Sequence, residues 1–213
     1  QHHVALIGGD TTRGPLSITV SIKGTVPAAQ ALRRSGAKVG DHIYVSGRLG
    51  AAALAVQQRL HHLPINAEAL RQCQHRMEYP QPRCELGLAL RDIASSALDL
   101  SDGLAGDLMH ILRASRVAAK IELTDLPIDP AVNQSVTPEQ ALQLALGGGD
   151  DYELCFTAPA RHENDIQKLA KTLDLPLTRI VTIITGTPEI FWYHHGNSVE
   201  LHINGWEHFH HGE

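Results

Sequence analysis

The sequence predicts a mixed α/β fold, and three observations carry that prediction. Segments with apolar side chains at every second residue are interleaved with segments whose apolar side chains recur every three to four residues. Glycine punctuates the junctions between them. Aromatic residues make up only 4% of the chain, so the core is built from Ala, Leu, Ile and Val.

Taken in order, residues 4–7 are a short apolar run ending in Gly8-Gly9-Asp10. Ile18, Val20, Ile22 and Val26 then alternate with Ser17, Thr19, Ser21 and Thr25, the period of a half-buried strand. Lys38-Val39-Gly40-Asp41 reads as a turn into a strand over 42–46, and the Ala-rich 51–60 as a helix. Pro80 and Pro82 stop any helix before them, and Leu86, Leu90 and Ile93 mark a new one. Leu104, Leu108, Ile111 and Leu112 line one face of an amphipathic helix that begins directly after Asp99-Leu100-Ser101-Asp102-Gly103. Thr137-Pro138-Glu139-Gln140 has the pattern of a capping box with proline at the first helical position, opening a helix that closes in Gly147-Gly148-Gly149. Residues 152–157 follow as a strand. Ile166, Leu169, Ala170 and Leu173 mark another helix, and 179–185, 189–194 and 199–203 are late strands.

Composition narrows the class of function. With 43% hydrophobic and 19% charged residues the 213-residue chain folds as a globular protein rather than a disordered or fibrous one. The net charge of −5 and scattered basic residues argue against a nucleic-acid surface. No long apolar run or basic leader occurs, which predicts a soluble, cytoplasmic protein without membrane partners. Three cysteines without CxxC spacing fit a reducing compartment, and Cys155 reads as packing. The 14 histidines include adjacent pairs, which point to opposite faces of a strand and lack zinc-motif spacing, so they read as solvated surface. His110 reads as structural. Lys168, Lys171, Glu163 and Asp165 read as a solvated helix face.

Three loops share one composition: Gly8-Gly9-Asp10-Thr11-Thr12-Arg13, Asp99-Leu100-Ser101-Asp102-Gly103-Leu104 and Gly147-Gly148-Gly149-Asp150-Asp151-Tyr152. Each joins small residues to carboxylates at the end of an element. One such loop is ordinary turn chemistry. Three together suit phosphoryl transfer, in which Mg²⁺ takes oxygen ligands and bridges phosphates while glycine admits backbone N–H groups to phosphate oxygens. The second loop precedes a helix, so its dipole is expected to help hold phosphate, and Arg34 can neutralise phosphate charge. Trp206 can stack on a cationic or pyrimidine ring, or simply close the core.

In this order the three loops resemble those of the thiamine-monophosphate kinase family, within the aminoimidazole ribonucleotide synthetase-like superfamily. The specific strings are Asp-x-Ser-Asp-Gly-Leu and Gly-Gly-x-Asp-Tyr-Glu-Leu, supported by Arg34-Ser35-Gly36-Ala37, residues 40–45 and Gly205-Trp206-Glu207-His208-Phe209. The resemblance implies ATP-dependent phosphorylation of thiamine monophosphate to the diphosphate, by direct in-line transfer that needs Mg²⁺ and no covalent intermediate. It implies Gly9, Asp10, Arg34 and Ser101 at ATP, Asp10, Asp99 and Asp102 at magnesium, and Asp150 and Trp206 at the substrate, with no catalytic side chain assigned. It also implies a homodimer in the full-length form.

The family carries glutamate where this chain has Asp150, one methylene shorter. The resemblance covers the C-terminal two thirds of the family's length, so the chain reads as an incomplete form of the enzyme, without the upstream acidic loops that hold several of the family's magnesium ions. Residues 1–29 read as the remnant of an N-terminal ATP- and metal-binding domain, contributing an edge strand prone to self-association, and 30–213 as the C-terminal α/β domain. The alternatives are another ATP-dependent enzyme of the superfamily (a ring-closing synthetase, selenophosphate synthesis or hydrogenase maturation) and a non-catalytic nucleotide-binding module. The Tyr152-Glu153-Leu154 continuation disfavours the first.

Overall fold

The computed structural model describes residues 4–203, and the chain divides into two units, Gln1–Ala31 and Leu32–Glu213. In the first unit the described residues form no strand. Leu16, Ile18, Val20 and Ile22 are 94%, 83%, 87% and 77% exposed. The strands expected over 4–7 and 17–26 are therefore absent. A period-two pattern becomes a strand only where a neighbour takes up its N–H and C=O groups, and among the described residues none does.

The second unit is built on one seven-stranded sheet. Its strands are β1 (Asp41–Ser46), β2 (Ser96–Asp99), β3 (Ala118–Glu122), β4 (Leu154–Pro159), β5 (Leu177–Ile184), β6 (Ile190–His194) and β7 (Asn197–Val199). The spatial order is β2-β4-β1-β5-β3-β6-β7, and only β3 and β6 pair in parallel. The helices are α1 (Ala51–His61), α2 (Ala67–Glu78), α3 (Cys84–Ala89), α4 (Leu104–Ser115), α5 (Pro130–Ser135), α6 (Pro138–Gly147) and α7 (Glu163–Thr172). None of the described helices is long and apolar enough to cross a membrane.

Both faces of the sheet are covered. Leu104, Leu108, Ile111 and Leu112 of α4 pack on Ile43, Val45, Leu98, Ile121 and Ile180 in one core. Tyr44, Ala97 and Phe156 face the other way, into a second core with Leu86 of α3 and Ile166 of α7. There the rings of Tyr44 and Phe156 stack at 5.2 Å. A third cluster joins four helices: the buried alanines of α1 let α2, α5 and α6 approach it closely.

The expected elements of this unit are largely present, with local corrections. The capping box at Thr137 forms, its hydroxyl accepting from Gln140 N while the Gln140 side chain accepts from Thr137 N. α3 ends at Ala89, short of Ile93. β4 begins two residues later than expected, because Asp150 and Tyr152 take left-handed φ values of 67° and 49° that cannot enter a ladder. The final strand is Asn197–Val199 rather than 199–203, set by a hairpin turn with positive φ at His195 and Gly196. His110 is exposed on α4.

Candidate functional site

The sheet itself assembles the candidate site. β2 and β4 are antiparallel with Asp99 opposite Leu154, so the loop leaving β2 and the loop entering β4 lie side by side. Main-chain bonds continue between them beyond the strands: Leu100 N donates to Glu153 O at 2.8 Å, Tyr152 N to Leu100 O at 2.9 Å, and Asp150 N to Ser101 O at 3.0 Å. Two glycines permit this approach. A Cβ on Gly149 would land on Ser101 O, and one on Gly103, whose φ is 113°, would sit 2.9 Å from Leu146 O.

Two carboxylates, the buried Asp107 and the half-buried Asp151, hold the joined loops from behind. Asp107, in the first turn of α4 and 3% exposed, accepts from Ser101 N at 2.8 Å and Asp102 N at 3.0 Å through one oxygen. Burial pushes its carboxyl up, and the two amides pull it back. The amides of Ser101 and Asp102 are thus turned inward and already occupied. The α4 N-terminus likewise has its own anion beside it.

Asp151 does the same for the third loop, accepting from Gly50 N at 2.9 Å at the start of α1. Burial pushes its carboxyl up to about 7, against the pull of the Gly50 amide and with a further push from Glu153. The folded state thus holds this proton more tightly than the unfolded chain, so stability rises as pH falls from about 7 toward 4 and is lost as pH rises through 7. Between pH 8 and pH 6 the parent is expected to gain about 1 kcal/mol, roughly 2–4 °C in melting temperature, relative to Asp151→Asn. Parallel melting curves at the two pH values check this; equal slopes for parent and variant would sink it.

With the amides and two carboxylates turned inward, other groups face the solvent. Asp99 is exposed, and Ser101 and Asp102 are half-buried. The Tyr152 hydroxyl donates to Asp150 Oδ1 at 3.2 Å. Burial raises its pKa, and the fields of Asp150, Asp99 and Asp102 raise it further, so three carboxylates surround one phenol. Ser101, Asp102, Asp150 and Tyr152 form one rim of a cleft of about 1210 Å³. Its other walls carry the apolar Ala53, Val56 and Leu60 of α1, Leu63, Val136, Leu142, Leu201 and Ile203, interspersed with Gln57, His61 and the α6 side chains Glu139, Gln140 and Gln143. Such a cleft suits a ligand with one anionic or metal-bound end and one flat, weakly polar end.

Of the remaining expected site residues, only Arg34 is described in the second unit. Arg34 is exposed, and its carbonyl accepts from Ser115 Oγ at 3.4 Å. That is the C-terminal end of α4, about 17 Å along the helix from the acidic loop. Gly9 and Asp10 belong to the first unit, where Asp10 accepts from Thr11 N at 2.8 Å. Trp206 lies outside the described residues. Cys155 is fully buried in β4, and burial pushes its thiol up to about 12.

Among the described residues no three His, Cys, Asp or Glu side chains stand close enough to enclose a metal ion. Magnesium asks for less, usually one or two carboxylates with the rest from phosphates and water. The oxygen-only donors of Asp99, Asp102 and Ser101 fit that requirement.

Glu153 could not be placed from the sequence. Buried at 1% exposure, it accepts from Ser46 Oγ at 2.5 Å and takes Arg83 in a two-point pair at 2.7 and 2.5 Å, with Arg76 at 3.6 Å. Its carboxylate fills the space beside Gly47, where a side chain would collide with it.

Nearly the whole chain aligns with thiamine-monophosphate kinases. The enzyme of Escherichia coli strain K12 is 45% identical over 210 residues, covering 98% of this chain and 64% of the relative. That of Buchnera aphidicola subsp. Schizaphis graminum is 36% identical over 211 residues, covering 98% and 65%. This chain is a relative of the thiamine-monophosphate kinases. It spans about two thirds of their length, at 64% for the E. coli enzyme. The crystal structure of thiamine-monophosphate kinase from Stenotrophomonas maltophilia K279a superposes with a TM-score of 0.75 and 42% identity, over 82% of this chain and 56% of that one. A structure described as AaThiL complexed with AMPPCP and TMP gives a TM-score of 0.68 and 27% identity, over 84% and 54%. The hydrogenase maturation protein HypE, at 18% identity and a TM-score of 0.61, shares the fold alone. No family profile matches the chain.

Proposed function

We propose that this chain serves the ATP-dependent phosphorylation of thiamine monophosphate to thiamine diphosphate. The observation that carries the reading is the β2–β4 junction: it brings the Asp99–Asp102 and Asp150–Tyr152 segments of a thiamine-monophosphate kinase-like sequence to one rim of a two-faced cleft.

In the reaction a phosphate oxygen of thiamine monophosphate attacks the γ-phosphorus of ATP, and the bond from that phosphorus to the β-bridging oxygen breaks, leaving ADP. The attacking oxygen is already ionised at neutral pH, so no side chain has to remove a proton from it. Magnesium, when bound, neutralises charge on the phosphates and the leaving group. Asp99 and Asp102 would hold it, and Ser101 offers a hydroxyl to the nucleotide. Asp150 and Tyr152 set the substrate edge of the rim, the Tyr152 hydroxyl fixing the Asp150 carboxylate. The apolar side chains of α1 receive the ring end of the substrate.

By the same resemblance Gly9, Asp10 and Arg34 are assigned to ATP, Asp10 also to magnesium, and Trp206 to the substrate ring. Residues 1–29 are assigned to an ATP- and metal-binding domain and 30–213 to the C-terminal domain, acting in the cytoplasm as part of a homodimer.

Phosphorus NMR of the chain with Mg-ATP and thiamine monophosphate tests the reading. Diphosphate resonances of a new thiamine product above a protein-free control would show that this portion suffices for turnover. Thermal stabilisation by the ligands, about 2.7 kcal/mol at a hundred times Kd, without product would mark a binding module. The absence of both product and stabilisation would overturn the proposal.

A further inference from the structure

We propose that Asp107 is a positioning residue for divalent-cation binding by the loop from Asp99 to Asp102. The inference rests on the reading of that loop as a metal site, and it concerns a residue the sequence presents only as one polar position on a helix.

Three observations carry it. Asp107 is 3% exposed, so its carboxylate is committed to the interior and does not line the cleft. One of its oxygens takes the amide hydrogens of both Ser101 and Asp102, at 2.8 and 3.0 Å, while its own N–H donates to Gly103 O at 3.0 Å. Three bonds thus tie the loop to the first turn of α4. The path from Ser101 to α4 runs through Gly103, whose φ of 113° is a conformation that other residues rarely adopt. An unsupported chain there would sample many arrangements.

The consequence is chemical as well as geometric. Peptide amides bind anions, whereas hydroxyl and carboxylate oxygens bind cations. By occupying the two amides, Asp107 leaves the loop offering oxygen to the cleft. Asp107 therefore selects a metal ion over a bare phosphate at this loop.

The test is titration of Mn²⁺ into the 213-residue chain, following the loss of the free-ion electron paramagnetic resonance signal, together with hydrogen exchange at the amides of Ser101 and Asp102. Asp107→Ala removes both acceptor bonds and is expected to weaken Mn²⁺ binding 10–100-fold and to expose the two amides. Asp107→Asn keeps one oxygen able to accept both bonds, and is expected to hold the amides protected and to bind Mn²⁺ within about threefold of the parent.

Parental Mn²⁺ affinity in a folded Asp107→Ala overturns the inference. So does an Asp107→Asn variant as weak as Asp107→Ala with its amides still protected, since charge rather than placement would then be responsible. If Asp107→Ala does not fold, rapid exchange at Ser101 and Asp102 in the parent overturns it, and protection there with near-parental binding by Asp107→Asn supports it. A parent that binds no Mn²⁺ overturns both this inference and the metal reading beneath it, whereas parental binding with unaffected variants overturns this inference alone.

Discussion

Glu153→Ala is expected to destabilise the second unit by about 3 kcal/mol and to lower its melting temperature by roughly 10 °C. Glu153 is a buried carboxylate whose partners are two guanidinium groups and a serine hydroxyl. Removing it leaves Arg83, whose side chain is only 17% exposed, with an uncompensated charge next to the core. Breaking such a pair from one side costs far more than the pair contributes, because the surviving charge keeps its desolvation penalty. Arg76, at 41% side-chain exposure, can turn to water, which holds the expected cost at the low end of the range for buried pairs. The substitution also frees Ser46 Oγ, which donates to Glu153 and accepts from Leu154 N, and so loosens the junction of β1 and β4. Thermal melts of parent and variant decide the matter, and a shift below about 2 °C would show that the network contributes little.

Asp102→Asn is expected to lower the rate of phosphoryl transfer about a hundredfold at limiting Mg²⁺, with partial recovery as Mg²⁺ is raised. Partners one step removed from a metal already change affinity or activity 10–100-fold, so loss of a carboxylate in the proposed ligand role belongs at the upper end. The recovery distinguishes a ligand from a structural residue: weaker metal affinity is offset by mass action, whereas a displaced loop is not. Asp102 is half-buried on the rim of the cleft, and its own amide is held by Asp107, so the side-chain change leaves the backbone anchor intact. Rates measured across a Mg²⁺ series check this. A variant with the parental rate at every concentration would remove Asp102 from the metal site.

Much of the second unit is legible in the sequence where one physical signal dominates. The capping pattern at Thr137 and the apolar stripe Leu104, Leu108, Ile111 and Leu112 specify α6 and α4 because both signals are local. β2 and β3 escaped notice for the opposite reason. Ser96–Asp99 and Ala118–Glu122 are short and mostly buried, with small residues on both faces, so they show no clean alternation. Residues 17–26 alternate clearly and form no strand, since alternation states which side chains agree and not whether a partner is at hand.

The site divides along the same line. The carboxylate loops stand out by composition, and the structure joins two of the three. That they meet follows from the antiparallel pairing of β2 with β4, a long-range fact. Asp107 and Asp151 look like any acidic residues near a helix or turn, and only burial reveals that they face inward. Tyr152 was read as the start of a strand, which hid its hydroxyl contact with Asp150.

The β2–β4 ladder also separates the geometry of the rim from the length of the chain that connects its two halves. Residues 100–153 leave the β2–β4 pair and return to it, with α4, β3, α5 and α6 between. Extra residues inserted at the exposed Thr124 and Asp125 meet loop-closure entropy, about 0.6 kcal/mol for each doubling of loop length. They do not shift Asp99 against Leu154, because that register is fixed by main-chain bonds at the base of the excursion. The stitch leaves evolution and engineering free to change the connection between the two carboxylate loops while the rim they form stays in place.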